Sequence, residues 1–193
     1  MLKLIWRRLI TQLYWRWRLQ SIGVRSVIFK PMMITGAAHI SIGERCLIRD
    51  FARLEVLERP DKGWCGKLRI GDRVNIEQGV HIVCQGELTI EDDVAITPYC
   101  AIVDTYHPHD PPDVPPRIGD RLPDAPTFVT IGRGTFIGTH TVILPNVRIG
   151  RGCVIGAGSV VTQDVPDYSV AAGSPARVIS TFDPGERAWK RRA

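Results

Sequence analysis

Residues 131–161 read Ile131-Gly132-Arg133-Gly134-Thr135-Phe136-Ile137-Gly138-Thr139-His140-Thr141-Val142-Ile143-Leu144-Pro145-Asn146-Val147-Arg148-Ile149-Gly150-Arg151-Gly152-Cys153-Val154-Ile155-Gly156-Ala157-Gly158-Ser159-Val160-Val161. An aliphatic side chain stands at every sixth position: Ile131, Ile137, Ile143, Ile149, Ile155 and Val161. A period of six suits neither the 3.6-residue turn of an α-helix nor the two-residue alternation of a free strand. It suits a short strand and a corner, repeated, with the aliphatic pointing into a narrow core. Further back, the same step gives Ile90, Ile96, Ile102, then Ile70, Ile76, Ile82, then Ile42, Ile48, Leu54, and more weakly Ile22, Ile28, Ile34. Small or slender residues follow four positions later, among them Ala52, Val74, Val80, Val94, Thr135, Thr141, Val147, Ser159 and Val165. Cys46, Cys100 and Cys153 occupy that slot too, so they read as core fillers.

The six-residue step breaks at 34–42, 54–70, 82–90 and 102–131, each time after a set of three. Three hexads therefore make one triangular coil, and every insertion leaves from the same corner of a prism. The expected fold is all-β, a parallel β-helix of about five to six triangular coils over residues 22–180. The longest excursion, a loop arm over 103–130, holds seven prolines (Pro108, Pro111, Pro112, Pro115, Pro116, Pro123, Pro126), which keep it out of the sheets. A long proline-rich loop on a rigid scaffold is a candidate functional element.

Composition narrows the class. At 193 residues, 44% hydrophobic and 23% charged, the chain fits one globular domain. A domain of this size buries about 70% of its unfolded surface without disulfides or a structural metal. Five Cys without a Cys-x-x-Cys pair argue against a secreted disulfide framework or a zinc ribbon and favour a reducing, cytoplasmic compartment. Cys65, inside an insertion, is the one expected to be readily modified. The net charge of +5 is unevenly placed. Residues 1–43 carry seven basic side chains and no acid, and residues 183–193 carry four against two. The 14 basic and 18 acidic residues between them sum to −4. An acidic body with basic ends is not the pattern of a nucleic-acid reader.

Residues 1–21 read as a basic amphipathic helix. Leu2, Ile5, Trp6, Leu9, Ile10, Leu13 and Trp17 share one side, and Lys3, Arg7, Arg8 and Arg18 lie opposite or at its border. The uncharged run Leu9 to Trp15 is far too short for a bilayer span, and no small-residue cleavage site follows it. Two readings stand: an interfacial helix on an anionic membrane surface, peripheral to the cytoplasmic face, or a helix packed on the body or a neighbouring subunit. Residues 181–193 read as a basic tail.

Three stretches together resemble the hexapeptide-repeat acyltransferases, over roughly residues 36–180. They are Ile131-Gly132-Arg133-Gly134-Thr135-Phe136-Ile137-Gly138, Ile155-Gly156-Ala157-Gly158-Ser159-Val160-Val161-Thr162, and Ala172-Gly173-Ser174-Pro175-Ala176-Arg177-Val178-Ile179. The arm sequence Asp104-Thr105-Tyr106-His107-Pro108-His109-Asp110 narrows the similarity to the galactoside, maltose and lipopolysaccharide O-acetyltransferases. The resemblance implies a left-handed β-helix, acetyl-CoA as donor, a sugar hydroxyl or polysaccharide precursor as acceptor, no metal, and a homotrimer with an active site at each subunit interface.

It also implies residue roles. Attack of an alcohol on a thioester needs a base, and imidazole titrates near working pH. His107 matches the catalytic position of the arm, and His109 is its rival. The oxyanion donor falls at Thr139, the acceptor contact at Glu77, where the galactoside-type enzymes carry Asn, and the CoA groove at Ala157, Thr162, Gln163 and Arg177. Gln163 replaces a frequent Lys and removes one phosphate contact, while Arg177 is placed to meet a CoA phosphate. His39, His81 and His140 read as surface residues. Two alternatives are a metal-dependent hydratase of the γ-carbonic-anhydrase type, with His81, His107 and His109 as ligands, and a non-catalytic β-helix scaffold.

Overall fold

A computed structural model describes residues 2–59, 62–109, 113 and 115–191. Three parallel sheets form the walls of a prism, and the aliphatics of the hexads stack in register along each wall. In the first sheet Ile22, Ile42, Ile70, Ile90, Ile131 and Ile149 pair in succession. In the second, Ile28, Ile48, Ile76, Ile96, Ile137 and Ile155 do so. In the third, Ile34, Leu54, Ile82, Ile102, Ile143 and Val161 do so. The chain is thus a left-handed parallel β-helix of six coils, and the residues expected to point inward are its core.

Each corner between the first and second sheets, and all but the first between the second and third, places the third residue after the aliphatic in the left-handed region. Arg25, Arg45, Arg73, Asp93, Gly134 and Gly152 form one such column, and Phe51, Gly79, Tyr99, His140 and Gly158 the other, with φ between 56° and 69°. A single left-handed residue turns the chain sharply enough for the next strand to start two residues later. The fourth residue then points inward, where only a slender side chain fits. Cys46, Val74, Thr135, Ala52, Cys100 and Ser159 are all buried there.

All insertions leave from the third corner, between the third and first sheets. The 54–70 insertion is more ordered than its sequence suggests, because Glu58–Arg59 pairs antiparallel with Trp64–Cys65. Both ends of the prism are closed. The helix α1 (Leu2–Tyr14) and a 3-10 turn (Trp15–Trp17) lie against the first coil. At the other end Ser169–Gly173 pairs antiparallel with Ala176–Asp183, which pairs with Ala188–Arg191. Residues 181–191, read from sequence as part of a tail, therefore extend the second sheet. Its strand edge offered unpaired backbone groups, and the returning chain satisfies them.

Candidate active site

The arm rises from the third corner on a buried polar base. Asp104 is fully buried, and its carboxylate accepts the backbone N–H groups of Gln85 and, at 3.0 Å, Gly86. Burial pushes its carboxyl above the usual carboxylate value, and those two donors oppose the rise. Thr105 bonds the Gln85 side chain (2.6 Å), whose amide donates to the Pro123 carbonyl (3.0 Å). The returning end of the arm presses on Gly86 so closely that a Cβ there would lie 2.0 Å from the Thr127 carbonyl oxygen. Both ends of the excursion are thus clamped to one Gln-Gly pair in the preceding coil.

On this base stands His107, exposed, with Nδ1 2.9 Å from the Arg121 carbonyl. A carbonyl only accepts, so Nδ1 carries the hydrogen in the neutral ring and Nε2 keeps its lone pair. Arg121 braces the loop, its guanidinium donating to the carbonyls of Pro116 (2.8 Å) and Pro108 (3.5 Å). His107 opens onto a cleft of about 550 Å³ between the arm and the outer face of the third sheet.

The floor of that cleft comes from outward positions of successive coils. Register sets His81 beside Arg53 and Val83 beside Glu55. Arg53 and Glu55 form an ion pair, while the buried Arg53 Nε finds no acceptor among the described residues. Burial, and then the Arg53 charge, lower the His81 pKa, which favours its neutral form. Sequence reasoning left Arg53 and Glu55 unremarked and took His81 as surface. They are 26 to 28 residues apart in the chain, and only the coil register joins them.

The other expected site residues lie elsewhere on the chain. Thr139, Glu77 and Ala157 are on the second corner, across the third sheet from the arm. The Thr139 hydroxyl donates to the Pro98 carbonyl (2.7 Å), and its backbone N–H has no partner among the described residues. Glu77 pairs with Arg49 (Nε–Oε2 3.5 Å). Ala157 is exposed beside Gly138, where a Cβ would come within 2.5 Å of the Ala157 backbone nitrogen. Thr162 and Gln163 are exposed at the third corner of the last coil, and Arg177 is exposed on the terminal hairpin. His109 is exposed on the arm. Among the described residues no three His, Cys, Asp or Glu converge as a ligand set, His81, His107 and His109 included.

Four of the five cysteines are buried, and burial pushes all four thiols up. Cys65, half-buried, lies 3.4 Å from His39 Nδ1.

Comparison with known proteins agrees with this architecture. The bacterial transferase hexapeptide (six repeats) family matches residues 128–163. The Escherichia coli K12 protein WbbJ, named as a lipopolysaccharide biosynthesis O-acetyl transferase, is 28% identical over 172 residues, spanning 86% of this chain and 83% of WbbJ. The galactoside O-acetyltransferase of the same organism is 40% identical over 114 residues, 58% of this chain and 53% of that protein. A galactoside acetyltransferase solved with coenzyme A superposes with a TM-score of 0.58 at 26% identity, over 92% of this chain and 72% of that one. A point mutant of the Bacillus cereus N-acyltransferase AntD, solved with dTDP and coenzyme A, gives a TM-score of 0.71 at 25% identity over 85% of each chain. Repeat, coils and relatives agree: the chain carries the bacterial transferase hexapeptide repeat over residues 128–163, and it is similar in sequence and fold to hexapeptide-repeat acetyltransferases.

Proposed function

We propose that the protein transfers acetyl from acetyl-CoA to a hydroxyl of a sugar within a polysaccharide or lipopolysaccharide precursor, with His107 as general base. The observation that carries the reading is the His107 tautomer: Nδ1–H held by a backbone carbonyl leaves Nε2 as a base at the mouth of a cleft. Nε2 takes the hydroxyl proton as the oxygen attacks the thioester carbon. The tetrahedral oxyanion needs a fixed donor, for which the unused Thr139 N–H is suited. Collapse breaks the C–S bond, and the imidazolium returns its proton to the departing thiolate.

His107 and Thr139 sit on opposite edges of the third sheet, so one subunit does not unite them. An arm reaching toward the second corner of a neighbour would, and this supports a homotrimer with shared sites. In that arrangement the flat strip at Gly138, Gly156 and Ala157 accommodates the pantetheine arm, and Thr162, Gln163 and Arg177 flank the nucleotide end. The similarity to AntD favours one second reading, acylation of a sugar amine instead of a hydroxyl. Incubation with acetyl-CoA and matched hydroxyl and amino sugars, with thiol release monitored and products identified by mass spectrometry, separates the two. O-acetyl ester formation supports the proposal, and exclusive amide formation replaces it with the second reading.

A further inference from the structure

The helix α1 meets the body with its polar side. Thr11 is fully buried and accepts the Ile28 N–H (3.0 Å) while donating to the Arg7 carbonyl (2.8 Å). The Arg7 guanidinium donates to the Phe29 carbonyl (3.1 Å) and the Gln12 amide to the Gly23 carbonyl (3.3 Å). These contacts satisfy the open edge of the first coil, whose backbone groups point along the prism axis. The helix therefore lies across the end of the prism, and its opposite side faces away from the body. That outer side carries Ile5, Trp6, Leu9 and Leu13, each 48% to 63% exposed, continued by Trp17 at 86%. At 100° per residue, Ile5, Leu9 and Leu13 lie one above another, turned roughly opposite to Thr11. A helix of a water-surrounded protein shows the reverse arrangement.

The occupant follows from charge. Arg8, Arg16 and Arg18 are exposed around this face, and no acidic residue precedes Glu44. Pairing with a second copy would bring like charges together with nothing on the segment to neutralise them. Among the described residues no helix is long and apolar enough to cross a membrane. An anionic lipid surface supplies both a place for the aromatic and aliphatic side chains and counter-charge for the arginines. We propose that the outer face of α1 docks on an anionic bilayer, with Trp6 and Trp17 at headgroup depth, so that the prism stands with its first coil toward the membrane. The inference is independent of the transfer chemistry.

Full-chain protein is sedimented with phosphatidylglycerol vesicles and with phosphatidylcholine vesicles, at low and high salt. The wild type should bind the anionic vesicles at low salt and weaken as salt rises. The double variant Trp6→Gln/Leu9→Gln touches none of the body contacts and should bind at least about tenfold less while its circular dichroism is unchanged. The variant Arg8→Gln/Arg16→Gln/Arg18→Gln should lose on the order of 100-fold in affinity, because each basic residue near an anionic surface adds roughly a factor of five. Equal binding by wild type and the double variant would overturn the proposal, as would no binding to anionic vesicles. So would light scattering showing that the double variant dissolves a larger assembly of the wild type without vesicle binding, since the face would then belong to a second copy.

Discussion

The Nδ1–H of His107 is committed to a carbonyl held by the arm, and the arm is held by Asp104. Replacing His107 with Ala should lower kcat by roughly 10²- to 10⁴-fold, the span for a lost general base, and leave the melting temperature unchanged. His109→Ala should cost much less, because that side chain has no contact that fixes it among the described residues. Steady-state rates with acetyl-CoA and a competent acceptor check both. Full activity in His107→Ala would remove the assignment. Asp104→Ala leaves two backbone N–H groups without an acceptor inside the protein, at about 1–3 kcal/mol each, so its urea midpoint should fall along with activity. An unchanged midpoint would mean water replaces the carboxylate. At this scale the arm motif pointed to His107, whose role as base is a proposal, and the hexad slot marked Cys46, Cys100 and Cys153 as core, where they are buried. Arg53 and Glu55 were not legible, because outward residues of a coil obey no period and their meeting depends on three-dimensional register.

The elements show the same division. Every aliphatic of the six sets lies in its expected column because burial of an apolar side chain enforces a strict period. The terminal hairpin and the Glu58–Arg59 pairing left no such trace, since their side chains meet at the surface and not in the core: Phe182 packs edge-on against Trp189, Lys190 pairs with Asp183 and Glu186, and Arg59 lies over Trp64. For α1 the apolar stripe was visible but not which side meets the body. The edge of the first coil needed hydrogen-bond partners more than apolar cover, and Thr11, Arg7 and Gln12 supply them. The first corner carries a ladder in which Asp93 bonds Arg73 (2.5 Å) and Arg133 (3.1 Å). The Arg73 bond leads in pulling the Asp93 carboxyl from 3.8 down to about 2. A depressed carboxyl contributes stability that is present above its unfolded value and is lost as pH falls through the folded one. Asp93→Asn should therefore narrow the difference between urea midpoints measured at pH 5 and pH 2 relative to the wild type. The effect is small, since the ladder is exposed and screened. An identical pH dependence in both proteins would show the ladder to be idle.

At the scale of the whole molecule the three walls differ. The outward positions of the first sheet are Ser41, Arg69, Thr89, Thr130 and Arg148, suited to water. The second presents Leu47, Asn75, Ala95, Phe136 and Val154, apolar but for Asn75, and the third ends in Ala101, Val142 and Val160. Phe136 and Val154 are 44% and 37% exposed in the single chain. Apolar strips on two adjacent walls suit association about an axis parallel to the prism. Light scattering should therefore return three times 21.5 kDa at micromolar concentration, and a monomer would contradict it.

The central claim is that the arm of one subunit completes the site on the second corner of the next, and mixing two inactive proteins tests it most directly. His107→Ala removes the base, and Ala157→Trp blocks the strip proposed for the pantetheine arm without touching the arm. Each alone should be inactive. Refolded together, a trimer containing both kinds of chain has one interface that pairs an intact arm with an intact strip, so mixed trimers should regain about one third of wild-type activity. Activity of the mixture no greater than that of the two variants assayed separately would place the whole site within one chain and contradict the account.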